Sequence, residues 1–91
     1  MKRAVILYLT GKFQVLVFNS YIKENAERNN LRGFLRNLED GRIELFLEGD
    51  HRDIEKMIEI CRKGTRQSKI EKIEQKDESF QYFKEFKILH I

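Results

Sequence analysis

Few side chains in this sequence are able to do chemistry, and one of them is placed by a turn. Asn37 stands two residues before Glu39-Asp40-Gly41, and Asp-Gly between two apolar-rich runs signals a β-hairpin. A hairpin strand, here Gly33-Phe34-Leu35-Arg36-Asn37-Leu38, holds such an amide rigidly, and an amide donates and accepts hydrogen bonds at once. The plainer role for an Asn before a turn is to bond the local backbone. Lys12 offers a cation just ahead of an apolar stretch, Phe13 to Phe18, with solvated turn lysine as the plainer alternative. Cys61 is the only cysteine, which rules out an internal disulfide and a multi-cysteine metal site. His51 and His90 are joined by no carboxylate or cysteine constellation and read as surface or satisfied histidines. No metal site and no cofactor are expected.

Composition bounds the frame that must position these groups. Ninety-one residues suit one small domain over 1–91; such a chain buries only about 60–65% of its unfolded surface, so its core must be economical. With 41% hydrophobic and 36% charged residues and no Pro, the chain reads as globular. No apolar run nears the roughly 20 residues of a membrane span, and Met1-Lys2-Arg3 leads into strand-like sequence without a signal-peptide pattern. A cytoplasmic location without membrane contact follows as the expectation. A net charge of +3, with 18 basic residues interspersed among 15 acidic ones, gives weak support to nucleic-acid binding, which is not expected; a small anionic ligand suits the balance better.

Residues 3–10 are almost wholly apolar or β-favouring and suggest a central strand. Gly11 and Lys12 suggest a turn. Ile22 and Ala26 share one face of a helix over 19–29, with Asn19 or Ser20 able to cap its start and Asn30 able to end it in the left-handed conformation. After the hairpin, Ile43, Leu45 and Leu47 alternate with Glu44, Phe46 and Glu48, which predicts a strand with one core face and one mostly solvated face. Asp50 and Asp53 open a second helix whose Ile54, Met57, Ile58 and Cys61 fall at i, i+3, i+4 and i+7, closed by Arg62, Lys63 and Gly64. Cys61 thus reads as a buried apolar filler. A polar loop over 65–69, a strand from Ile70 to Lys76, a turn over 77–81 and a last strand from Phe83 to Ile91, with Phe86, Ile88 and His90 on one face, complete the chain.

This order, strand-helix-strand twice over plus a short last strand, predicts an α+β, ferredoxin-like split βαβ sandwich: an antiparallel sheet of four to five strands with both helices on one face. Identity between the halves is too weak for a repeat, and the fold by itself decides no function.

Particular residues go further. Gly11-Lys12-Phe13-Gln14-Val15-Leu16-Val17-Phe18-Asn19 resembles the Gly-x-Val-Gln-Gly-Val-x-Phe-Arg phosphate loop of the acylphosphatase family. Ala26, Asn30-Leu31-Arg32-Gly33-Phe34-Leu35-Arg36-Asn37 and Asp40-Gly41-Arg42-Ile43-Glu44 resemble its helix alanine, its Gly-Leu-x-Gly-Trp-Val-x-Asn segment and its Asp-Gly-x-Val-Glu turn. Glu48-Gly49, Gly64 and Phe86-Lys87-Ile88 fall where the family puts such residues, so the resemblance covers essentially the whole chain.

The resemblance implies hydrolysis of the carboxyl-phosphate bond of acyl phosphates without metal or covalent intermediate. Loop amides over Phe13, Gln14, Val15, Leu16, Val17 and Phe18 would hold the phosphate together with an Arg, and Asn37 would position the attacking water. Asn19 occupies that Arg's place. Loss of a guanidinium removes charge-assisted bonds worth about 1.5–3 kcal/mol each, and loss of a single oxyanion donor commonly costs about a hundredfold to a thousandfold in rate. Weak or lost hydrolysis is therefore expected. Val15 in place of the loop's inner glycine would cost about 1–2 kcal/mol at positive φ, which favours a rebuilt loop. Two other readings stay open: an active acylphosphatase using another cation, with Lys12 as candidate because Arg36 alternates to the face opposite Asn37, and a non-catalytic ligand or protein interaction module. The partner expected is a small acyl phosphate or phosphate-like anion, and the state a monomer or weak homodimer.

Overall fold

The computed structural model describes residues 1–90. The apolar run near the start forms β1, Lys2–Lys12, and α1 spans Val15–Arg28. The hairpin is β2, Arg32–Asn37, and β3, Ile43–Asp50; α2 spans His51–Lys63, β4 Lys69–Glu78 and β5 Phe86–Leu89. The strands form one sheet in the order β4-β1-β3-β2-β5. β1 is antiparallel to β3 and β4, and β2 to β3, so the four long strands match the expected antiparallel sheet. β5 is added parallel to β2 as a short edge.

Local chemistry explains the helix ends. Asp50 caps α2 by accepting from the Arg52 amide, Asp53 lies in its first turn, Arg62 and Lys63 in its last, and Gly64 follows at φ 64°. α1 ends as the sequence suggested: Asn30 adopts φ 57°, its amide bonds Glu27 O and the Leu31 amide bonds Ala26 O. Phe18, Ile22 and Ala26 of α1 and Ile54, Met57, Ile58 and Cys61 of α2 are buried with Val5, Leu7, Leu9, Leu35, Leu45 and Leu47 in one core. Leu7, Leu35 and Leu45 share a register row, so the helices cover one sheet face.

The other face departs from expectation. Glu44, Phe46 and Glu48 of β3 are buried too, at 7, 4 and 1% exposure, so neither face of β3 is solvated. The cover is residues 79–85, expected in part as strand. The amides of Gln81 and Phe83 each donate to the Glu48 carboxylate at 2.6 Å, and the Phe83 ring packs edge-on against Phe34 and Phe46, centroids 5.9 and 5.4 Å away. Captured in this way, the segment cannot pair as a strand until Phe86. The expected strand to Ile91 thus shrinks to Phe86–Leu89; His90 lies outside it and Ile91 outside the described residues.

Candidate active site

Topology gathers the candidate residues at one end of the sheet. β1 and β2 both run antiparallel to β3 between them, so they point the same way, and Leu9, Ile43 and Asn37 lie in one row. Asn37 is the last residue of β2. It alternates with Gly33 and the fully buried Leu35, which puts its side chain on the helix-covered face, at the exposed rim. Asn37 makes no side-chain hydrogen bond to protein among the described residues, so the local-backbone role is not taken up. The turn beyond it is held by other groups: Asp40 accepts from the Arg42 amide at 3.0 Å and from its Nε at 2.8 Å, which holds the Asp40 carboxyl below the usual range.

β1 leaves the sheet at Lys12 and only Phe13 and Gln14 intervene before α1. Here the structure corrects the sequence reading. The helix starts at Val15, not at Asn19, so Asn19 and Ser20 are not caps; Gln14 is the N-cap, without a side-chain cap bond. Val15 is helical, and among the described residues the only non-glycine residues with positive φ are Asn30 and Tyr82, so Val15 carries no positive-φ strain. The cause is the core: Phe18, Ile22 and Ala26 form an i, i+4, i+8 stripe that draws one further turn into the helix, against the weak helix preference of Val15 and Val17. That spacing is the signal the sequence carried.

The rebuilt segment has a buried and an exposed side. Phe13 packs on Phe18 at 4.8 Å and Phe18 on Tyr21 at 6.0 Å. Val15, Leu16 and Val17 are 46, 75 and 42% exposed. The first helical hydrogen bond runs from the Phe18 amide to Gln14 O at 2.8 Å, which leaves the amides of Val15, Leu16 and Val17 without intrahelical acceptors at the positive end of a 14-residue helix whose first turn has no acid. Such a terminus receives anions. One turn inside it, Asn19 is 4% exposed and its Oδ1 has no hydrogen-bond partner among the described residues. Lys23, a further turn on, bonds Phe86 O at the start of β5, so Asn19 lies on the flank of α1 toward β5 and β2, nearer the end that Asn37 terminates. Lys12 is exposed and pairs in register with Lys69.

The remaining candidates fall away from this end or into packing. Arg36 is on the opposite face from Asn37, ion-paired with Glu44, which also accepts from Tyr8 Oη at 2.9 Å. Cys61 is buried and its thiol is pushed up to about 12 by desolvation. His51 meets Arg3 Nη1 at 3.1 Å on the surface. Among the described residues no group of three or more His, Cys, Asp or Glu is placed to hold a metal ion, and no helix is long and apolar enough to cross a membrane.

The amide at the end of β2 and the helix terminus with open amides lie at the same end of the sheet. Residues 5–88 match the family described as Acylphosphatase. The chain belongs to the acylphosphatase family. Among relatives, it is 39% identical over 85 residues to an acylphosphatase of Pyrobaculum arsenaticum, covering 91% of this chain and 90% of that one. It is 35% identical over 79 residues to an acylphosphatase of Syntrophobacter fumaroxidans, covering 87% and 81%. The fold superposes on the crystal structure of acylphosphatase from Bacillus subtilis with a TM-score of 0.92 over 99% of this chain and all of that one, at 24% identity. The α+β acylphosphatase-like sandwich read from the sequence is therefore the fold of this chain.

Proposed function

We propose that residues 1–91 form a single acylphosphatase-like domain that receives an acyl phosphate or related phosphate anion at the start of α1, and that its hydrolytic activity is weak or lost. The observation that carries the reading is the uncapped α1 terminus, with the amides of Val15, Leu16 and Val17 open, at the same end of the sheet as Asn37. Phosphate oxygens accept from these amides, continuous with the segment Phe13 to Phe18. Asn37, whose side chain has no protein hydrogen-bond partner among the described residues, orients a water by accepting a hydrogen bond from it. That water attacks phosphorus as the bond from phosphorus to the acyl oxygen breaks; the carboxylate leaves with the electron pair, its low basicity removing the need for a general acid, and both protons of the water stay on the phosphate released. Asn19 stands in place of the cation that the resemblance implies. A neutral amide leaves the developing charge less stabilised, by a factor of about a hundred to a thousand in rate. Cytoplasmic location and a monomeric or weakly dimeric state accompany this reading.

A second reading keeps efficient hydrolysis and assigns the missing charge to Lys12, favoured by its place at the end of β1, two residues before the helix cap, with no ion-pair partner among the described residues. Hydrolysis of an aryl acyl phosphate by this protein, Asn19→Arg and Asn37→Ala separates the readings. The expected result is slow turnover, raised at least a hundredfold by Asn19→Arg and abolished by Asn37→Ala. Fast turnover that is lost on Lys12→Ala supports the second reading instead, and inertness of both the protein and Asn19→Arg overturns the phosphate site.

A further inference from the structure

The three residues whose amides are open at the start of α1 carry large apolar side chains that stand in water. Val15, Leu16 and Val17 are consecutive, and Leu16 is 75% exposed. On a domain this small, exposed apolar groups in one cluster mark a contact site more often than singly scattered ones do. Leu16 and Val17 continue into an open groove of about 520 Å³ between α1 and the turn after α2, walled by Tyr21, Thr65 and Gln67 and ended by Glu24. Both walls are fixed in advance. Tyr21 Oη donates to Ile60 O at 3.0 Å, and the Thr65 amide donates to Ser68 Oγ at 2.8 Å, which locks the turn.

We infer that this groove seats the acyl part of the ligand, and that the ligand is a phosphate anhydride or ester with a neutral, apolar acyl body such as an aryl or branched alkyl group. The inference rests on the phosphate site proposed above. The groove is continuous with that site because Leu16 and Val17 belong to both: their main chain faces the anion and their side chains line the groove. Ligand chemistry follows from the two surfaces. An anionic head meets amides; the body that leaves it meets leucine, valine and a tyrosine ring. Among the described residues Glu24 is the only charged one lining the groove, and it repels a body carrying a second carboxylate or phosphate.

The test compares non-hydrolysable ligands in which a methylene replaces the bridging oxygen. Inorganic phosphate, acetonylphosphonate and phenacylphosphonate are titrated into the full chain, with amide NMR shifts as the readout. All three should move the amides of Val15, Leu16 and Val17, and phenacylphosphonate should bind about tenfold tighter than acetonylphosphonate, since a half-buried phenyl group adds that much. Leu16→Ser, at a site too exposed to threaten folding, should bring the ratio of the two affinities below about threefold, and Glu24→Leu should raise it. Phosphate binding with a ratio already below threefold in the unmodified chain overturns this inference and leaves the phosphate site standing. A ratio unmoved by Leu16→Ser and Glu24→Leu also overturns it. Amides unmoved by any of the three ligands overturn both.

Discussion

Arg36 and Glu44 face each other across the β2–β3 ladder on the sheet face opposite Asn37, and their ion pair lies one row from the Asn37–Ile43 pair that ends the strand. Glu44 is 7% exposed and also accepts from Tyr8 Oη, while the Arg42 guanidinium lies 5.2 Å from the centre of the Tyr8 ring. The hydrogen bond to Glu44, first, and burial keep the Tyr8 hydroxyl protonated above its ordinary value. Tyr8, Arg36 and Glu44 from three strands, with Arg42 from the turn before β3, thus clamp the sheet beneath the candidate site.

Removal of Glu44 strands an arginine and a tyrosine hydroxyl together. Glu44→Ala should destabilise the fold by about 2 kcal/mol, below the usual cost of breaking a fully buried pair because Arg36 is one-third exposed. Urea unfolding of Glu44→Ala and Tyr8→Phe measures it; equal midpoints for Glu44→Ala and the unmodified chain would mean that the pair contributes nothing.

Glu48 holds the covering segment by two short bonds to the Gln81 and Phe83 amides and is 1% exposed. Glu48→Ala should cost roughly 3 kcal/mol, since hydrogen bonds to charged acceptors contribute about 1.5–3 kcal/mol each. Amide exchange at Gln81 and Phe83 should accelerate far more than exchange in β1. Uniform acceleration would show that the segment is not a separate opening unit.

Asn19 carries a buried acceptor that has no partner among the described residues, a state that costs about 1–3 kcal/mol. Asn19→Leu should therefore raise the unfolding free energy by about 1 kcal/mol and weaken phosphate binding, the trade expected where a group is retained for a ligand. A loss of stability on thermal unfolding would refute this account of Asn19.

Cys61 sets a limit at alkaline pH. Its thiol titrates near 12 in the folded chain because burial disfavours the thiolate, whereas in the unfolded chain it titrates near its ordinary 9.0. Between those values the unfolded state has lost a proton that the native state retains, so stability present below about pH 9 falls as pH rises, by about 1.4 kcal/mol per pH unit until about pH 12. Cys61→Ala should start less stable because of its cavity and show a shallower decline above pH 9. Parallel declines would show that the raised Tyr8 and Tyr21 hydroxyls dominate instead.

Gly33 has φ 140°, and a Cβ there would lie 2.0 Å from Phe46 O. Gly33→Ala should destabilise by more than about 3 kcal/mol, because both the backbone and the β2–β3 contact oppose it. Denaturant midpoints decide this, with Gly41→Ala as the comparison, since a Cβ at Gly41 meets nothing within 4 Å.

What the sequence determined by itself was set by local rules. Periodicity and capping gave α2 from Ile54, Met57, Ile58 and Cys61 with Asp50 at its start; Asp40-Gly41 gave the hairpin and put Asn37 at a strand end; Asn30 closed α1. Each of these depends on residues within a few positions of one another, and together with the motif around Asn37 they were enough for the fold and the family. Only the tertiary structure decided what depends on distant partners. The core drew Val15 to Val17 into helix, which turned an expected loop of amides into a helix terminus and buried Asn19. Residues 79–85 crossed the outer face to Glu48, more than thirty positions back in sequence, and made the alternating acids of β3 interior. A period-two pattern reports which side chains share a face, but not whether a distant segment will cover it.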